Sequence, residues 1–246
     1  MSFHVVIPAR RHSQRLPDKA LLDIGGKPMI VRVMEQAALS SALSVTVATD
    51  DDDIATAVTT AGGQAEMTLA SHQSGTDRIA EVAAKRQWDA DAIVVNVQGD
   101  EPLIPPVLID QVAQLLSENS QADMATLAAA FGSQEDPADP NVVKVVKRDD
   151  GRALYFSRAL IPYHRDNDGI APQRHVGIYA YRVDALQRMV ATPVAELEAI
   201  EKLEQLRALS IGLEIMVATA IEEPGVGVDT PQDLEMVRAS IAERAD

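Results

Sequence analysis

Three times in the first half of the chain a short apolar run alternates with an amphipathic segment, and this narrows the possible folds more than any other feature. Residues 3–7 (FHVVI) predict a buried strand, and a polar loop leads to a helix over about residues 28–42. Residues 45–49 (VTVAT) predict the next strand; Asp51 or Asp52 caps a helix that Gly62-Gly63 stops near residue 61. A helix over about residues 77–86 precedes residues 92–97 (AIVVNV), a continuous apolar run of the kind that fills the centre of a parallel sheet. A further helix is expected over about residues 105–117. Repeated strand–helix units imply right-handed crossovers and an open, mainly parallel sheet flanked by helices. Ligands of such sheets sit beyond the carboxyl ends of the strands, so the loops after Ile7, Thr49 and Val97 should meet there.

The pattern changes near residue 124. Strands are expected over residues 125–131, 142–147 and 154–157, with Asp149-Asp150-Gly151 turning between the last two, and again over residues 175–181. Helices follow over about residues 183–190 and 196–210, then a strand over 215–219 and a C-terminal helix from Pro231. In the 196–210 helix Leu197, Ile200, Leu203, Leu206 and Leu209 read as one core-facing stripe. With no repeat and no linker, residues 1–246 are expected to form a single domain with segments 1–123, 124–220 and 221–246.

Composition removes several classes of function. With 246 residues, 46% of them hydrophobic, the chain can bury a sizeable core. The absence of cysteine excludes disulfides, thiolate zinc sites and cysteine nucleophiles. There is no leader-like N-terminal segment and no apolar run near the roughly 20 residues that span a bilayer, so a soluble, cytoplasmic protein without a membrane partner is expected. A net charge of −15 argues against a nucleic-acid partner, because phosphates would be repelled at long range. A small anionic ligand needs only a local concentration of positive charge.

Such a concentration exists. Residues 8–19 (PARRHSQRLPDK) carry Arg10, Arg11, Arg15 and Lys19 and leave the first strand at its carboxyl end. Arginine forks grip phosphate oxygens, and a lysine can offset the charge of a leaving pyrophosphate. The segment is no Walker loop, since Gly25-Gly26-Lys27 lacks the spacing, and the G-x-G-x-x-G of dinucleotide binders is missing after the first strand. Asp100, just past the central apolar run, either opens a turn or holds Mg²⁺ against a triphosphate; Gly99 permits close backbone approach. Asp229 or Thr230 caps the last helix, and a second metal ligand at Asp229 requires it to approach Asp100. His72–Arg78 (HQSGTDR) suits either a base edge or a helix cap. Arg158, His164, Arg165, Arg174 and His175 bracket residues 166–173, a stretch that could close as a lid, and could grip a sugar carboxylate. The five histidines lack zinc-ligand spacing, and no Ser/His/Asp order stands out.

Taken in order, these segments resemble the 3-deoxy-manno-octulosonate cytidylyltransferases. The resemblance runs from IPARRHSQRLPDKAL through KPMI, VATDD, HQSGTDRIAEV, VNVQGDEPLI, NVVKVV, ALYFSRALIPY, RHVGIYAYR and LEQLRAL to GVDTPQDLE. It implies a Rossmann-like sheet of the nucleotide-diphospho-sugar transferase type with a smaller β-rich dimerisation region, and a homodimer. It implies transfer of a cytidylyl group from CTP to an acidic eight-carbon sugar, with Mg²⁺ as cofactor, for lipopolysaccharide biosynthesis. Segment 1–123 would bind the nucleotide and segment 124–220 the sugar. Pro8, Ala9, Arg10, Ser13, Arg15 and Lys19 match the triphosphate loop, and Ser74, Gly75 and Thr76 the segment near the cytosine nucleotide. Asp100 and Asp229 match the magnesium carboxylates; Gln98, Arg158, His175, Tyr179, Glu204 and Gln205 match positions lining the sugar site. Arg10, Arg15, Lys19 and Asp100 would carry the catalysis, the metal activating the sugar hydroxyl because no general base stands out. The loop departs from the usual S-T-R-L-P-G-K-P-L at Gln14, Asp18 and Ala20, and Asp18 sets a negative charge beside Lys19. The same reaction on the 8-amino sugar or another ulosonic acid, and a catalytically silent nucleotide-binding regulator, are the alternative readings.

Overall fold

A computed structural model describes residues 1–11, 16–133, 135–166 and 171–245. In chain order the elements are β1 (Phe3–Ala9), a short 3-10 turn (Lys19–Leu21), β2 (Asp23–Ile24), β3 (Lys27–Pro28), α1 (Met29–Ala38), β4 (Ser44–Thr49), α2 (Asp52–Thr60), β5 (Gln64–Met67) and α3 (Gly75–Lys85). Then come β6 (Ile93–Asn96), α4 (Pro106–Glu118), β7 (Met124–Ala130), β8 (Lys144–Lys147), β9 (Ala153–Ser157) and β10 (Gln173–Arg182). The chain closes with α5 (Val183–Ala191), α6 (Glu196–Glu201), α7 (Gln205–Ser210), β11 (Ile215–Thr219) and α8 (Pro231–Ala245).

The strand order β11-β7-β10-β6-β1-β4-β5 makes one nine-stranded sheet, with the β8–β9 hairpin attached through β10. Strands β6, β1, β4 and β5 are parallel neighbours, as the strand–helix alternation predicts. β10 runs antiparallel to both β6 and β7, and β11 returns parallel to β7. The β-rich second half therefore extends the same sheet. Apolar side chains cover both faces: Ile30 and Val33 of α1 with Leu108 and Val112 of α4 on one, and Ile79 and Val82 of α3 with Leu186 and Met189 of α5 on the other. Full burial of each such side chain contributes about 1.5–3 kcal/mol. A smaller cluster of Ile24, Met29, Val228, Leu234 and Val237 seats α8 against the β2–β3 hairpin.

Two expectations need correction. The edge strand β5 (QAEM) is too polar and too short to show in the apolar pattern, and its residues are only partly covered. The single helix expected over residues 196–210 is two helices, broken at Lys202, whose φ of 56° and ψ of 46° lie in the left-handed region. The stripe breaks with it: Leu203 and Leu206 are buried, whereas Leu197 is 47% and Ile200 69% exposed. A buried ion pair organises the break. Arg207 Nε donates to Glu198 Oε2 at 2.7 Å from the other side of the turn.

Candidate active site

Asp100 follows β6 at its carboxyl end, where Gly99 lets the turn pass against β1. A Cβ on Gly99 would stand 2.8 Å from the Pro8 carbonyl oxygen, so a side chain there would force the two strand ends apart. The 225–229 loop joins the same place: Val228 N–H donates to the Asp100 carbonyl at 2.8 Å. Gly225 allows that approach, since a Cβ there would lie 2.5 Å from the Leu103 carbonyl oxygen. These two close backbone approaches bring the carboxylates of Asp100 and Asp229 to one point, and Lys19 lies between them. Its Nζ donates to Asp100 Oδ2 at 2.7 Å and to Asp229 Oδ1 at 2.9 Å. Burial disfavours the Lys19 ammonium, but the carboxylates outweigh it and raise its pKa.

The last helix is capped by Thr230 rather than Asp229. Thr230 Oγ1 accepts from Asp233 N–H at 3.2 Å, and Asp233 Oδ2 accepts from Thr230 N–H at 2.8 Å. The Asp229 side chain is thereby directed at Lys19, the proximity to Asp100 that a shared metal requires. Beside them, burial and the charges of Asp100 and Asp229 push Glu101 up to about 8.

A cleft of about 370 Å³ opens over this group. Pro8, Ala9, Arg10, Lys19, Ser74, Gly75, Gln98, Asp100, Glu204 and Asp229 all line it, so ten of the site residues expected from the sequence share one cavity. Ser74 caps α3 in a reciprocal pair with Asp77, each side chain accepting from the other's backbone N–H at 3.1 Å. Thr76 is buried, and its hydroxyl donates to Glu204 of the cleft lining. Burial raises the Glu204 pKa against that bond. Ser13 and Arg15 lie outside the described residues, as do residues 167–170 of the expected lid.

Other expected residues stand behind the cleft. Arg158 spends its Nε on the Glu201 carbonyl at 2.7 Å and Nη1 on the Pro140 carbonyl at 2.9 Å. Gln205 is buried on α7. His175 packs edge-on against Phe156 and lies 5.2 Å, centroid to centroid, from Tyr179. Burial raises the Tyr179 phenol well above its usual range. Arg174, offered as a sugar ligand, pairs with Glu135 and Glu223 instead.

The basic loop is also less positive than its composition suggests. Arg11 pairs with Asp18, Asp51 and Asp53 and so serves the loop rather than a phosphate. Asp18 consequently points to Arg11 and away from Lys19, in a left-handed conformation at φ 52°. Sequence reasoning passed over Arg78, a buried member of the quoted HQSGTDR segment. It pairs with Asp50 Oδ2 at 2.6 Å and lines the cleft, a role signalled only by the VATDD motif preceding it.

A model of the cytidylyltransferase family matches residues 4–215. The chain belongs to that family. It is 53% identical to the 3-deoxy-manno-octulosonate cytidylyltransferase of Vibrio parahaemolyticus serotype O3:K6 and 54% identical to that of Vibrio cholerae serotype O1, in each case over the full length of both chains. Its backbone resembles a solved CMP:2-keto-3-deoxy-manno-octonic acid synthetase complexed with CTP, with a TM-score of 0.92, 45% identity and 99% of both chains covered. The cytidylyltransferase fold, a mostly parallel sheet flanked by helices, is the one built above. Among the described residues no helix is long and apolar enough to cross a membrane.

Proposed function

We propose that this cytidylyltransferase activates 3-deoxy-manno-octulosonate with CTP, giving the CMP-sugar and pyrophosphate for lipopolysaccharide assembly in the cytoplasm. The observation that carries the reading is the Lys19–Asp100–Asp229 group at the floor of a cleft, in a chain that matches sugar cytidylyltransferases from end to end.

In this reading the anomeric hydroxyl of the sugar attacks the α-phosphorus of CTP in line, and pyrophosphate leaves. Both reactants are anionic, so the protein's work is positioning and charge compensation. Arg10 at the cleft wall and Lys19 at its floor face the triphosphate, with Arg15 of the same loop assigned there by the family resemblance. The N-terminus of α3 at Ser74 and Gly75 abuts Pro8 and borders the nucleotide side. Gln98 and Glu204 border the sugar side, with His175 and Tyr179 behind, Arg158 bonded to the Glu201 carbonyl at the end of α6 and Gln205 buried on α7.

Mg²⁺ is proposed as the cofactor, held by Asp100 and Asp229. The donor set fits: two hard carboxylates that reach one lysine nitrogen within 2.7 and 2.9 Å can reach one cation. Magnesium there would offset triphosphate charge and acidify the attacking hydroxyl.

A homodimer is proposed as well. Val194, Leu197 and Ile200 recur at a spacing of three and are 62%, 47% and 69% exposed, an apolar strip that a second copy would cover. Sedimentation at micromolar concentration should give twice the monomer mass.

The deciding assay combines purified protein, CTP and Mg²⁺ with a panel of ulosonic acids and measures pyrophosphate. Release is expected with 3-deoxy-manno-octulosonate. No release with that sugar, while its 8-amino form or a sialic acid reacts, would overturn the choice of substrate.

A further inference from the structure

We propose that Thr126 is a positioning residue that fixes the tautomer of His175, placing the proton on Nε2 and leaving Nδ1 as a lone-pair acceptor that selects a hydroxyl donor on the sugar. The sugar part rests on the function proposed above; the tautomer part does not.

The geometry begins with an irregularity in β10. Its pairing with β7 passes from Val176↔Leu127 directly to Tyr179↔Thr126, so Gly177 and Ile178 form a bulge opposite a single step of β7. The bulge turns carbonyls that would otherwise face a ladder partner onto the side chain of Thr126, which is fully buried. Thr126 Oγ1 lies 2.7 Å from the Ile178 carbonyl oxygen, 3.1 Å from that of Val176 and 2.9 Å from Nε2 of His175.

A hydroxyl has one hydrogen, and a carbonyl oxygen can only accept. The shortest contact, to Ile178, therefore takes the hydrogen. Of the two remaining contacts, the Val176 carbonyl at 3.1 Å can only accept and competes for the same hydrogen, so the contact with His175 is a hydrogen bond only if the ring donates through Nε2–H. The reverse assignment, with the hydroxyl donating to a bare Nε2, would leave two oxygens 2.7 Å apart with no proton between them. Phe156 and Tyr179 flank the imidazole and hold its plane. Burial also holds the ring neutral, lowering its pKa to about 3. A neutral Nε2–H imidazole keeps one lone pair, at Nδ1. His175 stands behind the cleft lining and is only partly covered as a residue, and its assignment to the sugar side comes from the function proposed above. A bare Nδ1 accepts from a hydroxyl and repels a carboxylate. The carboxylate of an acidic sugar must therefore be met elsewhere, by cationic side chains or by backbone N–H groups.

The test is the ¹⁵N–¹H correlation spectrum of ¹⁵N-histidine-labelled protein at neutral pH, with the His175 signals assigned by their loss in His175→Gln. The expected pattern is a protonated Nε2 and a bare Nδ1. Thr126→Ser, which keeps the hydroxyl, should preserve that pattern. Thr126→Val should raise the share of the Nδ1–H form and raise KM for the sugar by about five- to tenfold, while KM for CTP stays unchanged. A wild-type spectrum showing Nδ1–H or imidazolium would overturn the proposal, even if Thr126→Val failed to fold. So would a folded Thr126→Val enzyme with the wild-type spectrum and sugar KM. Inactivity of the wild-type enzyme on the sugar would sink the function proposed above instead, leaving the spectrum to decide the tautomer.

Discussion

The Nζ of Lys19 lies 2.7 Å from Oδ2 of Asp100, although the two residues are 81 positions apart in sequence, and the same nitrogen reaches Asp229 at 2.9 Å. One ammonium and two carboxylates from three segments of the chain thus meet at the floor of the cleft, and Lys19 offsets one of the two negative charges. With magnesium as the proposed cofactor, Lys19 and the dication compete for the same two carboxylates. Removing the ammonium by Lys19→Met should tighten Mn²⁺ binding to the nucleotide-free protein, read by electron paramagnetic resonance, by about fivefold. The same change should lower kcat by about 100-fold, because the cation that compensates the leaving pyrophosphate is gone. Unchanged or weaker Mn²⁺ binding would show that the ammonium does not guard the site.

Asp100→Asn separates chemistry from folding. The backbone bond from Val228 N–H to the Asp100 carbonyl survives the change, and the side chain is partly exposed. The melting temperature should stay within a few degrees of wild type. Turnover should fall by at least about 100-fold, since a neutral amide is a poor magnesium ligand. A variant keeping most of its kcat would remove Asp100 from the mechanism.

Asp18 tests the loop's backbone. It holds φ at 52°, where side chains other than glycine are strained, and Arg11 compensates with an exposed ion pair. Asp18→Ala and Asp18→Gly both lose that pair, so comparing them isolates the backbone term. The glycine variant should be the more stable by about 1 kcal/mol, which for a chain of this size is a difference of about 2–4 °C in melting temperature. Equal melting temperatures would place the left-handed turn outside the folded loop's energetics.

How much of this was legible in the sequence depended on the range of each interaction. The parallel strands could be read because burial on both faces leaves continuous apolar runs, and Asp100 because it ends the central one. That Asp229 stands beside it, and that Thr230 takes the cap, depends on the close approach of Gly225 to Leu103, a contact with no local signature. The 196–210 segment misled because its leucine spacing suits one long helix, while the Glu198–Arg207 pair stabilises a break at Lys202. Arg11 looked like a phosphate ligand until the fold brought Asp51 and Asp53 against it. Thr126, inside an otherwise unremarkable MATLAAA strand, acquires a role only from the bulge across from it.

The Glu198–Arg207 pair should be among the most sensitive to mutation. Both side chains are less than 10% exposed, so removing one partner leaves the other charged and buried. Arg207→Met should cost about 3–5 kcal/mol, and Glu198→Leu combined with Arg207→Met should recover most of it. Denaturant midpoints for the three variants measure this. A single variant as stable as wild type would mean that water reaches the remaining charge.

His175 predicts a pH dependence whose sign follows from its surroundings. The ring faces Phe156, Tyr179 and the Thr126 hydroxyl, none of which is charged between acid and neutral pH, and burial lowers its pKa from 6.5 to about 3. As pH falls through about 6.5 the unfolded chain takes up a proton at this site, whereas the folded chain does so only near 3. The unfolded state therefore binds more protons across that window, and this contribution to stability is complete above the upper value and drains away as pH falls toward the lower. His175→Gln, neutral at every pH, lacks the term. Urea unfolding at intervals between about pH 4 and 7 should give wild type the steeper loss, by up to about 1.4 kcal/mol per pH unit for the single proton. All other titrating groups are common to both proteins and cancel in the difference. Parallel curves would mean that the imidazole gains its proton in the folded protein as readily as in the unfolded chain, which a ring held between Phe156 and Tyr179 should not do.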